Sequence, residues 1–180
     1  MLTLKIAVIT GASSGLGREY AFAAARRYAD IDELWLIARR EENLRKRVRI
    51  IPLDITKEES VKTYISMLEE EKPEIALLIN NAGFGKLGDF DKLSYEDNGG
   101  MVRLNFEALT VMTSVSLPYM KNGGEIVNTC SIAAFAPNTR MAVYCSTKAY
   151  VLSLSKALRS ELRPRGINVL AVCPGPMDTE

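Results

Sequence analysis

Histidine is absent from the 180 residues, and with it go histidine-ligated metal sites, Ser-His-Asp hydrolysis and Cys-His nucleophiles. Proton transfer near neutral pH must therefore fall to another side chain. An excess of charge of either sign is missing too. The 23 Lys and Arg stand against 22 Asp and Glu, a formal net charge of +1, so there is no basic field to hold nucleic acid or an anionic membrane, and neither is expected as a partner. Long apolar runs are lacking. The opening MLTLKIAVITGASSGLG has an apolar core of only residues 6–9 before a glycine-rich turn, without the longer apolar region of a signal peptide. No stretch approaches the ~20 apolar residues of a membrane span. A cytoplasmic location is expected. Cysteine is scarce, and Cys130, Cys145 and Cys173 lie apart without CxxC spacing, which reads as reduced, structural thiols in a cytosolic protein and no metal site.

What is present is a globular composition, 47% hydrophobic and 25% charged, at a length that suits one domain. Short β-branched or leucine-rich runs recur at 4–9, 33–38, 48–53, 75–79, 125–129 and 167–172, without alternation. That pattern fits strands covered on both faces. Helix-like stretches at 15–29, 57–70, 96–120 and 142–163 lie between most of them. Alternating strands and helices predict a single α/β domain, a doubly wound parallel sheet of Rossmann type, because parallel strands need crossover connections. One connection is too short. Only residues 39–47 join the second and third strands, whereas a crossover with its helix needs about 10–12 residues.

The first run delivers the chain into Thr10-Gly11-Ala12-Ser13-Ser14-Gly15-Leu16-Gly17, followed by an alanine-rich helix. A glycine turn at the carboxyl end of a strand lets backbone N–H groups approach a pyrophosphate, whose charge the helix N-terminus also favours. The spacing is G-x3-G-x-G rather than G-x-G-x-x-G, and Gly17-Arg18-Glu19 stands where a P-loop requires Gly-Lys-Ser/Thr. The alternative is an ordinary βα turn with serine capping.

Downstream, Tyr144-Cys145-Ser146-Thr147-Lys148 opens a helix, and Ser131 lies 13 positions before the tyrosine, at the end of the fifth run. Positions i and i+4 share a helical face. A phenol with its ordinary pKa of ~10 is a poor base at neutral pH, but a nearby cation stabilises the phenolate. In a chain without histidine this pair is the available acid and base. Its alternative is a Tyr/Lys pair on an exposed face.

Together these residues resemble the classical short-chain dehydrogenase/reductase family. The resemblance runs through TGASSGLG at 10–17, Asp54 in LDIT, NNAG at 80–83, Asn105 in VRLN, Ser131 in CSIAA, YCSTK at 144–148 and PGPMDT at 174–179, in the family's order. The glycine spacing sets the chain apart from the extended branch. Departures are mild: Cys130 stands where serine is frequent and Ala134 where glycine is frequent.

The resemblance implies that Tyr144 passes the proton to or from the substrate oxygen. Lys148 would favour its phenolate and hydrogen-bond the nicotinamide ribose. Ser131 would polarise the carbonyl, and Asn105 would anchor a water that links Lys148 to solvent. Gly11, Ser13, Ser14, Gly15, Leu16 and Gly17 would cradle the pyrophosphate. Asp54 and Ile55 would hold the adenine, Asn81, Ala82 and Gly83 would line the adenosine-to-ribose stretch, and Pro174, Gly175 and Thr179 would face the nicotinamide. Cofactor choice turns on the end of the second strand, where an acidic residue would bind the ribose hydroxyls of NAD. Ala38, Arg39 and Arg40 stand there instead. Guanidinium groups suit a 2′-phosphate by charge and by forked donors, so NADP(H) is expected over NAD(H). A merely solvated basic loop is the other reading.

The expected protein is an NADP(H)-dependent oxidoreductase acting on a small-molecule carbonyl or secondary alcohol. The rivals are a non-catalytic NADP-binding regulator and a catalytically incomplete chain. Homodimers or homotetramers are expected through the long helices, since Val151, Leu152, Leu154 and Leu158 make the later one apolar over much of its circumference. Members of the family continue past PGPMDT through a substrate-covering lid to a further strand. The 180 residues are therefore expected to be part of a longer protein, with a break in the chain trace between Asn43 and Val48. A chain that ended at Glu180 would leave its sixth strand as a sheet edge and bind cofactor with little turnover.

Overall fold

A computed structural model describes residues 3–38 and 48–176. Six strands, β1 (Lys5–Thr10), β2 (Glu33–Ile37), β3 (Val48–Ile51), β4 (Glu74–Asn80), β5 (Met120–Thr129) and β6 (Asn168–Val172), form one sheet in the order β3-β2-β1-β4-β5-β6. Every neighbouring pair is parallel. The doubly wound sheet of Rossmann type expected from the alternating pattern is thus the observed one. The chain winds outward from β1 in one direction and from β4 in the other. The crevice where the direction changes, at the carboxyl ends of these two strands, is where ligands bind in such sheets.

Side chains alternate across a strand, so each strand feeds two cores. Ile6, Val8, Trp35, Leu78 and Ile126 face one side of the sheet. Tyr64 and Leu68 of helix α2 (Glu58–Glu71) meet them there. Ala7, Ile9, Leu34, Leu36, Leu77 and Ile79 face the other side, against Ala21 and Ala24 of helix α1 (Gly15–Arg27). The small alanines bring α1 close to β1. Full burial of a Leu or Ile side chain contributes about 1.5–3 kcal/mol, which explains why the central strands read as unbroken apolar runs.

Two expectations change in detail. The stretch 96–120 is not one uniform helix. It runs as α3 (Tyr95–Val102), a π-helical turn (Arg103–Ala108) and α4 (Leu109–Ser116), then a 3₁₀ turn at Leu117–Tyr119 that carries Pro118. Proline has no N–H to continue the ladder, and the chain passes straight into β5. Secondly, among the described residues β6 is covered on one face only. Val169 is buried and Leu170 is 46% exposed, because α5 (Ala142–Glu161) packs on one side of this sheet edge. The connection at 39–47, and with it the expected break between Asn43 and Val48, lies outside the described residues. No described helix is long and apolar enough to cross a membrane.

Candidate active site

The turn after β1 is built by residues that lack a Cβ. Gly11 has φ +67°, and a Cβ there would lie 2.7 Å from the Ala82 Cα. A Cβ on Gly17 would overlap the Gly11 carbonyl oxygen and lie 2.5 Å from Asn81 Nδ2. The turn and the end of β4 therefore approach as closely as backbone allows. Thr10 locks them together: its Oγ1 accepts from the N–H groups of Asn81 at 3.0 Å and Ala82 at 3.1 Å. Asn81 Nδ2 returns a bond to the Gly11 carbonyl at 3.1 Å.

Helix α1 begins directly behind this turn. Its N-cap, Ser14, is extended and makes no side-chain cap bond, and the first helical turn contains no acidic residue. The serine-capping alternative is therefore not what the turn does. The first N–H groups of α1 face an open cleft of about 1210 Å³ that runs across the carboxyl ends of the strands.

Of the residues expected to hold a dinucleotide, Gly11, Ser13, Ser14, Gly15 and Leu16 line one end of the cleft. Ala38, Asp54 and Ile55 also line it, with Asp54 Oδ1 accepting from the Thr56 hydroxyl at 2.7 Å and its N–H at 3.1 Å. Asn81, Ala82, Gly83 and Gly175 line its middle and far wall. Gly17 stands behind the turn, and its part is to let the turn close. Pro174 does not border the cleft; its carbonyl accepts from the Ile132 N–H at 3.1 Å. Arg39, Arg40 and Thr179 lie outside the described residues.

Ser131, Tyr144 and Lys148 come together at the other end of the same cleft. Ser131 caps a short 3₁₀ turn, Ile132–Ala134, and its Oγ accepts from the Ala133 N–H at 3.2 Å. That bond uses acceptor capacity and leaves the hydroxyl proton for another partner. Lys148 is only 5% exposed. Its Nζ donates to the Thr129 carbonyl at 2.8 Å and lies 5.7 Å from the centre of the Tyr144 ring. Desolvation pushes the ammonium below its ordinary pKa, and the Thr129 carbonyl compensates part of that cost.

Asn105 is buried in the π-helical turn and does not border the cleft. Its Oδ1 accepts from the Phe84 N–H at 2.9 Å, while Nδ2 donates to the Phe84 carbonyl at 2.8 Å and to Thr147 Oγ1 at 3.2 Å. The side chain is thus a clamp on the segment after β4. Below it, Asn80 Nδ2 donates to Thr113 Oγ1 and Asn128 Oδ1, and Asn128 Nδ2 donates to Ser155 Oγ, all at 2.9 Å. This buried chain ties β4, β5, α4 and α5 together near the carboxyl ends of the two strands.

Cys130 is buried, and burial pushes its thiol up to about 11; Sγ donates to the Lys148 carbonyl at 3.2 Å. A thiol held protonated is inert, in keeping with a packing role. Thr10, Thr129 and Phe84 were not singled out from the sequence. Thr10 was visible only as a letter of the glycine motif. Thr129 and Phe84 act through main-chain groups, which every residue has, so no side-chain signal could have marked them.

The geometry agrees with what the chain is similar to. The NADP-dependent 3-hydroxy acid dehydrogenase of Schizosaccharomyces pombe is 36% identical over 98% of this chain and 73% of its own length. Two solved structures share its fold over nearly the whole chain. A short-chain dehydrogenase from Sphingobium yanoikuyae in complex with NADPH has a TM-score of 0.83, with 35% identity over 98% of this chain and 72% of that one. The 3-ketoacyl-(acyl-carrier-protein) reductase from Brucella melitensis, complexed with NADH, has a TM-score of 0.84, with 30% identity over 99% of this chain and 78% of that one. The chain spans between half and three quarters of the length of its first curated relatives. The short chain dehydrogenase model matches residues 5–180, and with the strand order, the glycine turn and the Ser131, Tyr144 and Lys148 cluster in place, the chain belongs to the short-chain dehydrogenase family.

Proposed function

We propose that this protein is an NADP(H)-dependent oxidoreductase acting on a carbonyl or secondary alcohol, with Tyr144 as its acid and base. The observation that carries the reading is the convergence of Ser131, Tyr144 and buried Lys148 at one end of a cleft whose other end is an uncapped helix N-terminus behind a glycine turn. An elongated dinucleotide fits such a cleft. Its pyrophosphate would meet the N–H groups of the turn, its adenine would lie by Asp54 and Ile55, and Asn81 to Gly83 would line the stretch between. When bound, the nicotinamide supplies or takes up a hydride.

The protein's own groups handle the proton. In reduction, the Ser131 hydroxyl donates to the carbonyl oxygen and Tyr144 O–H delivers its proton to that oxygen. In oxidation, Tyr144 receives it back. Charge left on the phenol oxygen is stabilised by the Lys148 ammonium, which is buried beside the ring and so attracts it more strongly than it would in open water. One Lys148 N–H donates to the Thr129 carbonyl, leaving the other donors for the phenol side and a ribose hydroxyl. The same reading has the chain associate as a dimer or tetramer through α5. A panel of neutral ketones and aldehydes, followed by loss of NADPH absorbance, tests the proposal. Tight NADPH binding without turnover of any member would favour the regulator instead.

The preference for NADP(H) rests on Arg39 and Arg40, which follow the cleft-lining Ala38 at the end of β2. Relatives do not decide it, since one holds NADPH and another NADH. Replacing both arginines with Ala should remove charge-assisted hydrogen bonds worth about 1.5–3 kcal/mol each. Titration should find NADPH weakened far more than NADH. Equal losses for the two cofactors would mean that the arginines form only a solvated surface.

A further inference from the structure

The structure assigns Gly85 a positioning role in the proposed chemistry: its bare backbone is the surface against which the Tyr144 ring rests, and a side chain there would displace the phenol. A Cβ built on Gly85 would lie 2.9 Å from Tyr144 Cδ2, 3.1 Å from Cε2 and 3.3 Å from Cγ. Carbon atoms pack at about 3.5–4.0 Å, so the ring and a methyl group cannot both keep their places. Backbone conformation does not demand glycine here. Positive φ among the described glycines occurs at Gly11, Gly15, Gly123 and Gly166, not at Gly85. The ring contact is what requires the missing side chain.

The wall that Gly85 presents is held firmly. Phe84 is bound in both directions by Asn105 at 2.8 and 2.9 Å. The Lys86 N–H donates to Met101 Sδ at 3.4 Å, and its Nζ pairs with Asp97 at 2.7 Å. The Gly88 N–H donates to the Arg140 carbonyl at 2.9 Å. With the segment pinned at 84, 86 and 88, an added methyl group moves the ring rather than the loop. Asn105 serves the same end from the other side, because Nδ2 also reaches Thr147 Oγ1, which donates to the Tyr144 carbonyl at 2.8 Å. One buried amide thus ties the segment after β4 to the helix turn that carries Tyr144.

The inference rests on the reading of Tyr144 as acid and base, and its test separates the two. In the purified full chain, Gly85→Ala should lower kcat by about a hundredfold, the scale of a misplacement near 1 Å. The dissociation constant for NADPH should stay within about threefold, since Gly85 stands beside the ring and apart from the glycine turn. The pH profile of kcat should shift as the phenol moves relative to Lys148, a change that general loosening would not produce. Independently of turnover, Gly85→Ala should lower the melting temperature when Tyr144 is present. In a Tyr144→Ala background the same substitution should leave it unchanged or raise it, because the ring is gone and alanine restricts the unfolded chain.

Should Gly85→Ala alone fail to fold, a folded double variant supports the contact and an unfolded one overturns it. Equal melting losses in both backgrounds, or an unchanged kcat and pH profile in Gly85→Ala, also overturn it. If the unaltered chain turns over no carbonyl, the functional reading fails, and the melting comparison decides the Gly85 contact by itself.

Discussion

Tyr144→Phe should abolish turnover and leave NADPH binding nearly intact, whereas Lys148→Ala should damage both. The asymmetry follows from where the two groups stand. Tyr144 contributes one hydroxyl, and removing it leaves the ring on Gly85 and the glycine turn untouched. Lys148 does more. Its ammonium is buried, bound to the Thr129 carbonyl and near the tyrosine ring. Removing it takes the donor from the part-buried Thr129 carbonyl and withdraws the cation that stabilises phenolate. Stopped assays with NADPH and a responsive ketone, paired with titration of cofactor fluorescence, make the comparison. A Tyr144→Phe protein that keeps more than about a tenth of its rate would remove Tyr144 from the chemistry, since positioned acid/base groups contribute about 10²–10⁴-fold.

Gly17→Ala should be as damaging through a different route. The new methyl group would overlap the Gly11 carbonyl oxygen and press on Asn81 Nδ2. Both neighbours are fixed: Gly11 N–H is bonded to the Ile37 carbonyl at 2.8 Å, and Asn81 to Thr10 and Gly11. The obstacle on the Gly11 side is backbone, so it cannot swing away as a flexible side chain would. Overpacking of this kind costs about 1–3 kcal/mol or more. The displaced turn is the part that would hold the pyrophosphate. Affinity for NADPH should fall at least tenfold, which corresponds to about 1.4 kcal/mol. Urea unfolding should show a lower midpoint as well. Wild-type affinity together with a wild-type midpoint would show that the turn has room that the structure does not give it.

Local patterns carried the sequence reading where side-chain identity and short-range order are enough. Unbroken apolar runs marked buried parallel strands, because a strand covered on both faces has no polar side. The spacing of Tyr144 and Lys148 placed both on one helical face, and the glycine turn announced a close backbone approach. Absence was informative too: without histidine, the phenol and ammonium were the pair left for proton transfer.

What tertiary structure alone decided lies in contacts between distant segments. The interruption of the 96–120 helix by a π-helical turn was not legible, because that turn is where Asn105 meets the backbone of Phe84, 21 residues away. The solvent-linking role of Asn105 is implied by resemblance; the structure adds that its side-chain amide clamps the main chain of Phe84, and main-chain atoms carry no signature. Gly85 looked like one more loop glycine until the Tyr144 ring was found against it. The sequence by itself determined which segments are strands and which are helical, the doubly wound order, and the candidate groups for proton transfer, since these follow from local periodicity and side-chain chemistry. Only the folded chain decided where those groups point, because that depends on hydrogen bonds and packing between residues tens of positions apart.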